Sequence, residues 1–329
     1  MKTTVIYHSA DFDGIFCREI ARQFLPEAEL IGWNFGDKAL PFPDKDTTYY
    51  VLDLPMNAPF GLRFEDGWLA RDNPLQEKEH RQIQPIDRID FQNWIWIDHH
   101  KSSIESYPKE IPGYRIDGVA ACRLAWQWFE TIQKNVGYGI GPIPQSILAS
   151  KQDFIDRTVY EPMAVRLAGE YDIWDKRDPR AYFLQFGLRA IDLTPEVWQR
   201  LLSDDGESQT LDLVKIGRIA SGYQERIDSA IMRANSFFLN WEGLRFLALN
   251  TARCNSNAFR ELDVPESGHD ALLSFYQKSK SETGKERFWT VSMYHTRDKK
   301  ELDLSEIAKK HGGGGHRGAC GFTCKELPF

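Results

Sequence analysis

Four short stretches of the chain gather acid and imidazole side chains. His8-Ser9-Ala10-Asp11-Phe12-Asp13-Gly14 offers one histidine and two aspartates. Asp53 ends an apolar run, Asp98-His99-His100 stands as a tripeptide, and Asp172 and Asp175 flank Ile173-Trp174. Two carboxylates held close repel unless a cation lies between them. Aspartate and histidine without cysteine suit Mn²⁺, with Mg²⁺, Fe²⁺ or Co²⁺ as alternatives. Two such ions about 3.5–4 Å apart make a clamp for in-line displacement at phosphorus. The plainer readings are an Asp13 helix cap beside Gly14 and a solvated helix end for Asp172 and Asp175. The first explains one aspartate, not two and a histidine.

A fifth stretch is His311-Gly312-Gly313-Gly314-Gly315-His316-Arg317-Gly318. Consecutive glycines let backbone approach a ligand closely, and their free N–H groups can cradle phosphate oxygens. His316 and Arg317 add donors and positive charge for an anionic group. An apolar helix and an apolar strand flank the run, unlike a flexible linker. A zinc knot from His311, His316, Cys320 and Cys324 is a rival, but its spacing matches no familiar zinc pattern.

The elements that position these residues alternate between strand and helix. Thr3–His8 reads as a first strand, followed by a helix with Ile15, Phe16, Ile20, Ala21 and Phe24 inward that stops at Pro26. Leu30–Phe35, Thr47–Asp53 and the Trp94–Ile97 run, apolar on both faces, read as further strands of a parallel sheet. Ligands collect at the carboxyl ends of such strands, where His8, Asp53 and Asp98 to His100 stand. Gly118–Thr131 and Glu161–Tyr171 read as amphipathic helices, and Tyr138–Pro144 as a Gly/Pro loop. Residues 61–90 read as a surface insertion. Thr210–Asn235 is a long helix between two domains. After it come strands at Phe246–Asn250, Ala271–Phe275 and Phe288–His295 and a helix at Ser305–Lys310. The fold class is therefore α/β: a parallel-sheet domain over 1–205 with helices on both faces, a linker helix over 206–235, and a smaller α/β domain over 236–329.

At 329 residues the chain exceeds what one core usually supports, which agrees with two domains. The N-terminus lacks a signal-peptide layout, the five cysteines are scattered, and no apolar run approaches a bilayer span, which implies a cytoplasmic protein. The net charge of −7 lacks the basic excess of a protein that tracks long nucleic acid. It favours a small anionic substrate held by local cations. Most of the aromatic residues read as core, and a few as candidate base-stacking platforms.

Together these motifs resemble the DHH phosphoesterase superfamily, in the branch that carries a C-terminal DHHA1 domain. His8-x-x-Asp11-x-Asp13-Gly14, Asp53, Asp98-His99-His100 and Asp172 are similar to its four motifs in order. The glycine run with Leu304-Ser305-Glu306-Ile307-Ala308 is similar to the DHHA1 signature. The resemblance implies that His8 and Asp11 hold a first metal, that Asp13, His99 and Asp172 hold a second, and that Asp53 bridges them. Asp98 then orients its neighbours, and His100 faces the scissile phosphate. Gly314, Gly315, His316 and Arg317 grip the far part of the substrate, and Arg317 or Lys101 meets charge on the phosphoryl group. Asp175 stays open as a rival to Asp172.

The expected activity is hydrolysis of short nucleotides by two-metal-activated water, as an oligonucleotide exonuclease or a pAp-type phosphatase. A single-strand DNA exonuclease, a cyclic-dinucleotide phosphodiesterase, a polyphosphatase and a nucleotide-binding regulatory module are the alternatives. The expected partner is a short nucleotide, with no long duplex and no membrane; a homodimer is compatible with this reading.

Overall fold

The computed structural model describes residues 2–35, 37–41, 43–44, 46–65, 68–71, 93–105, 107, 111–137, 151–155, 160–252, 259, 263, 268–279 and 286–329. The chain divides into two compact units, Met1–Ala220 and Ser221–Phe329. Each is described by itself.

The first unit is built on four parallel strands, β1 (Lys2–His8), β2 (Glu29–Trp33), β3 (Thr47–Leu52) and β6 (Trp94–Ile97), in the order β2-β1-β3-β6. Val5, Ile6, Val51 and Leu52 are buried, as strands covered on both faces require. Beyond β6 the segment at 112–115 continues the edge: Trp96 N–H donates to Pro112 O at 2.8 Å and Asp98 N–H to Tyr114 O at 3.2 Å. A small antiparallel pair, β4 (Leu62–Glu65) and β5 (Trp68–Arg71), lies within the segment read as an insertion. The rest of that segment, and the Gly/Pro run at 138–144, lie outside the described residues.

One face of the sheet carries α1 (Phe12–Phe24), α3 (Ala121–Gly137) and α5 (Met163–Asp172). Phe16, Ile20, Leu124, Trp128, Val165 and Leu167 form that core with Val5 and Leu52. Helices were expected on both faces. Among the described residues the other face is covered instead by Leu54, Met56, Phe60 and Ile111, packed on Ile6, Val51 and Trp96. Trp96 closes this layer by donating its indole N–H to Leu54 O at 2.7 Å. These covering residues come from turns and a single 3₁₀ turn (Ala58–Phe60), whose short apolar stretches carry no helical period.

The described residues of this part of the chain also include helices α2 (Lys101–Ile104), α4 (Lys151–Ile155), α6 (Arg180–Arg189), α7 (Pro195–Leu201) and α8 (Glu207–Asn235). The unit boundary falls inside α8. Helix α6 meets α8 backbone to backbone: a Cβ at Gly217 would stand 1.8 Å from Phe183 O, and one at Gly187 2.1 Å from Leu213 O.

The second unit has one mixed sheet in the order β11-β12-β10-β9-β8-β7. Its strands are β7 (Phe237–Trp241), β8 (Leu244–Asn250), β9 (Ala271–Ser279), β10 (Arg287–His295), β11 (Gly314–His316) and β12 (Ala319–Cys324), with α9 (Leu304–Lys310) packed on it through Leu304, Ile307 and Ala308. Strand β7 turns into β8 through Glu242 and Gly243 at φ +50° and +75°, the left-handed pair of a two-residue hairpin. Glutamate is an unusual first residue for that turn, so β7 carried no turn signal. Gly314–His316 is a short strand paired with β12, where the sequence suggested an open loop. His311 stacks on Phe322 at 4.7 Å, and no metal-competent group among the described residues includes Cys320 or Cys324, so the zinc-knot rival falls. No helix among the described residues is long and apolar enough to cross a membrane.

Two glycines of α8 should respond oppositely to alanine. Gly217→Ala drives a methyl into Phe183 O and is expected to cost at least about 2 kcal/mol. Gly222, with nothing within 4 Å of a built Cβ, should gain about 0.5–1 kcal/mol from helix propensity. Urea unfolding of both variants checks this; equal effects would mean the α6–α8 contact is not tight.

Candidate metal centre

The carboxyl ends of β1, β3 and β6 deliver His8, Asp53 and the Asp98-His99-His100 run to one edge of the first unit's sheet. Gly14 allows α1 to start close against β1, since a Cβ there would lie 1.8 Å from His8 O. Asp11 caps α1: its Oδ1 accepts the Gly14 N–H at 3.1 Å, while its Oδ2 faces His8 Nδ1 at 3.0 Å. The cap of α1 is therefore Asp11, not Asp13. Asp13 sits inside the first turn and serves another helix. Its two oxygens accept the Ala121 and Cys122 N–H groups, both at 2.8 Å, at the start of α3. Carboxylates are favoured at such positive helix ends.

Two groups of three donors result, His8–Asp11–Asp53 and Asp13–His99–Asp172, with the donor atoms of each group within 4.8 Å of one another. Asp53 faces both. Its Oδ2 lies 3.5 Å from His8 Nδ1 and its Oδ1 lies 3.4 Å from His99 Nε2. His99 Nε2 also lies 3.6 Å from Asp13 and 3.4 Å from Asp172. Asp53 Oδ1 is buried and accepts no hydrogen bond among the described residues. A bare, buried carboxylate oxygen costs free energy unless something positive meets it. The donor set and this orphan oxygen fit divalent cations.

Asp98 is fully buried, and its Oδ1 accepts from His99 N–H at 2.8 Å, His100 N–H at 3.3 Å and His100 Nδ1 at 2.7 Å. His100 is half-exposed, and its Nδ1 lies 4.0 Å from Asp53 Oδ1. Together with Asp53 and His99 it forms a third donor group. Asp172 ends α5 inside the cluster, whereas Asp175 turns to Arg177 in a bidentate pair with Nε at 2.9 and 3.0 Å. Lys101 is exposed, 3.9 Å from Glu105. Gly314, Gly315, His316 and Arg317 belong to the second unit, where Arg317 donates to Glu301 O and stands 4.0 Å from Asp303.

Some contributors carried no sequence signal. The N–H groups that hold Asp13 lie 108 and 109 residues away along the chain. Arg115 forms a parallel bridge with Asp98 and donates to Trp96 O at 3.2 Å and Ile111 O at 2.7 Å. Phe35 packs edge-on against His8, with ring centroids 6.4 Å apart.

The electrostatics follow from crowding. Hydrogen bonding to Asp11 and Asp53 pushes His8 up to about 10. Burial opposes charge on His99, but Asp53, Asp13 and Asp172 carry it up to about 10. Burial, with Asp53 beside it, raises Asp13 to about 7, and burial with Asp13 nearby raises Asp172 to about 7. Burial also acts to raise Asp11, but His8 and the Gly14 N–H hold it below its ordinary value. The hydrogen bond to Asp98 raises His100.

No protein-family profile matches the chain, and no curated protein matches its sequence. Solved structures do match. A pGpG-specific phosphodiesterase from Vibrio cholerae is 13% identical over 99% of this chain and 94% of its own, with a TM-score of 0.40. A DHH domain from a member of the s1p family of ribosomal proteins is 11% identical over 98% and 82%, with a TM-score of 0.48. The exonuclease RecJ bound to manganese is 13% identical over 98% and 86%, with a TM-score of 0.42. At these values the likenesses say nothing about what this chain acts on.

Metal uptake should oppose protonation. For metal-free protein the folded state holds more protons than the unfolded state. Asp13 and Asp172 do so between their ordinary carboxylate range and about 7, and His8 and His99 between 6.5 and about 10. Their contribution to stability therefore falls as pH rises across both windows. Metal ligation needs the deprotonated forms, so the gain in Tm on adding Mn²⁺ should grow from pH 6 to pH 9. Thermal unfolding across pH checks this; a metal-induced shift independent of pH would contradict it. In the order of its motifs this chain resembles the DHH superfamily.

Proposed function

We propose that the protein is a metal-dependent phosphoesterase that hydrolyses short nucleotide substrates. The observation that carries this reading is Asp53, which turns one carboxylate oxygen to each of two three-donor groups. Two divalent ions, Mn²⁺ first, fit His8, Asp11 and Asp53 on one side and Asp13, Asp53, His99 and Asp172 on the other. When bound, such ions supply Lewis acidity and an activated water.

The chain's own residues supply orientation and proton handling. Asp98 takes the Nδ1–H of His100 and so fixes the ring, which leaves Nε2 for a phosphoryl or leaving oxygen. The raised proton affinity of His100 favours the imidazolium, a donor at Nε2.

In the second unit, packing demands glycine at 313, where a Cβ would meet Gly321 O at 2.1 Å, and at 315, where φ is +128°. Gly314 has nothing within 4 Å of a built Cβ and no left-handed backbone. The protein's own packing does not require glycine there, which suits backbone left open to an anionic group, with His316 and Arg317 exposed beside it. The net charge of −7 favours short substrates over long strands.

The test is a product assay with Mn²⁺ on pAp, RNA oligonucleotides from the dinucleotide upward, single-stranded DNA, cyclic di-AMP and polyphosphate. Turnover confined to pAp and the shortest RNAs is expected. Preference for long single strands, or turnover of polyphosphate alone, would overturn the substrate reading.

Asp53→Asn should separate function from fold. Asn tolerates the left-handed backbone that Asp53 adopts at φ +58°, and it removes a buried charge. Turnover should fall more than about a hundredfold. The variant should still unfold cooperatively, and Mn²⁺ should raise its Tm far less than it raises that of wild type. Retained turnover would remove Asp53 from the reaction.

A further inference from the structure

Trp174 stands where helix termination favours glycine. Helix α5 ends with Asp175 N–H donating to Glu170 O at 2.8 Å and Trp174 N–H to Tyr171 O at 3.1 Å. That bond pair is a Schellman ending, whose left-handed position glycine usually fills. Trp174 fills it at φ +55°, a conformation that bulky residues rarely adopt. Burial does not offset the strain, since the residue is 58% exposed. A strained backbone and an exposed indole meet at one residue, two positions beyond Asp172. Glycine would relieve both, so a contact outside the chain's own packing accounts for tryptophan better than the fold does.

The surroundings identify the contact. Tyr171 stacks beside the indole, with centroids 5.9 Å apart and planes at 28°, and Lys176 Nζ lies 5.4 Å from the ring centroid. An exposed aromatic pair with an ammonium group over one of its rings offers both a π-surface for a base and a positive charge for its phosphate. Inorganic polyphosphate has no such face.

We propose that Trp174 is a nucleobase-stacking platform beside the metal centre and sets the preference for base-bearing substrates. This rests on the nucleotide-phosphoesterase reading above. Asp172 holds the reacting end, and Trp174, on the same turn, holds the base.

The test compares wild type, Trp174→Gly and Trp174→Phe on a 5′-phosphorylated dinucleotide and on its abasic counterpart. Trp174→Gly should raise KM for the dinucleotide about tenfold, leave kcat and the abasic KM unchanged, and raise Tm by about 2 °C. Trp174→Phe should keep most of the affinity. An unchanged dinucleotide KM overturns the proposal and leaves phosphoesterase activity standing. An equal rise in the abasic KM also overturns it, because that is displacement of Asp172. If wild type turns over neither substrate, the functional reading fails separately. Calorimetric titration with AMP then decides stacking: binding lost in Trp174→Gly supports it, and equal binding or none in wild type overturns it.

Discussion

Like charge packed into the end of a parallel sheet is the constraint on which the first unit depends. Asp13, Asp53 and Asp98 are buried, and Asp172 joins them at the end of α5. The fold compensates some of these charges. Asp13 receives two N–H groups from the start of α3, Asp11 receives Gly14, and Asp98 receives the backbone of both histidines that follow it. Asp53 Oδ1 and Asp98 Oδ2 are both buried and accept no hydrogen bond among the described residues. Backbone N–H groups meet part of this charge, and the bare Asp53 oxygen lies 3.4 Å from His99 Nε2. His8 and His99 supply positive charge only while protonated, and they surrender it when they become ligands. The same residues thus stabilise the metal-free protein by holding protons, and metal ligation would require them to release those protons.

Much of this was legible in the sequence, for physical reasons that differ by element. Strands β1, β3 and β6 are short apolar runs that end abruptly in Asp or His, and both the period and the stop survive without tertiary information. The helix over 207–235 was readable because its apolar residues keep helical spacing across many turns. Helices α6 and α7 were missed. The first mixes aromatic and charged residues with little sidedness, and the second is only seven residues long. Among the described residues the cover of the first sheet's second face comes from turns, whose apolar residues have no period.

In the site, residue types and order were readable, but partners were not. Asp13 looked like a cap for the helix it begins, and it caps one more than a hundred residues away. The choice between Asp172 and Asp175 could not be made from a spacing of three. The structure separates them by a single helix ending: Asp172 closes the last turn of α5, and Asp175, beyond the left-handed residue, turns out to Arg177.

Backbone strain marks the same edge of the first unit independently of charge. Among the described residues three non-glycines have positive φ: Asp53, Trp174 and Glu242. Glu242 has a local reason, the two-residue turn between β7 and β8. Trp174 occupies the left-handed position of the helix ending after α5, where glycine is usual, and Asp53 stands in the turn out of β3. A left-handed residue costs about 1–2 kcal/mol, and such strain persists only where surrounding structure enforces it. At Asp53 the turn out of β3 places the carboxylate between two donor groups, which an extended continuation of the strand would carry past. At Trp174 the reversal after α5 leaves Asp172 in the cluster and the indole in solvent. Both strained residues follow an element that ends at the cluster, β3 for Asp53 and α5 for Trp174.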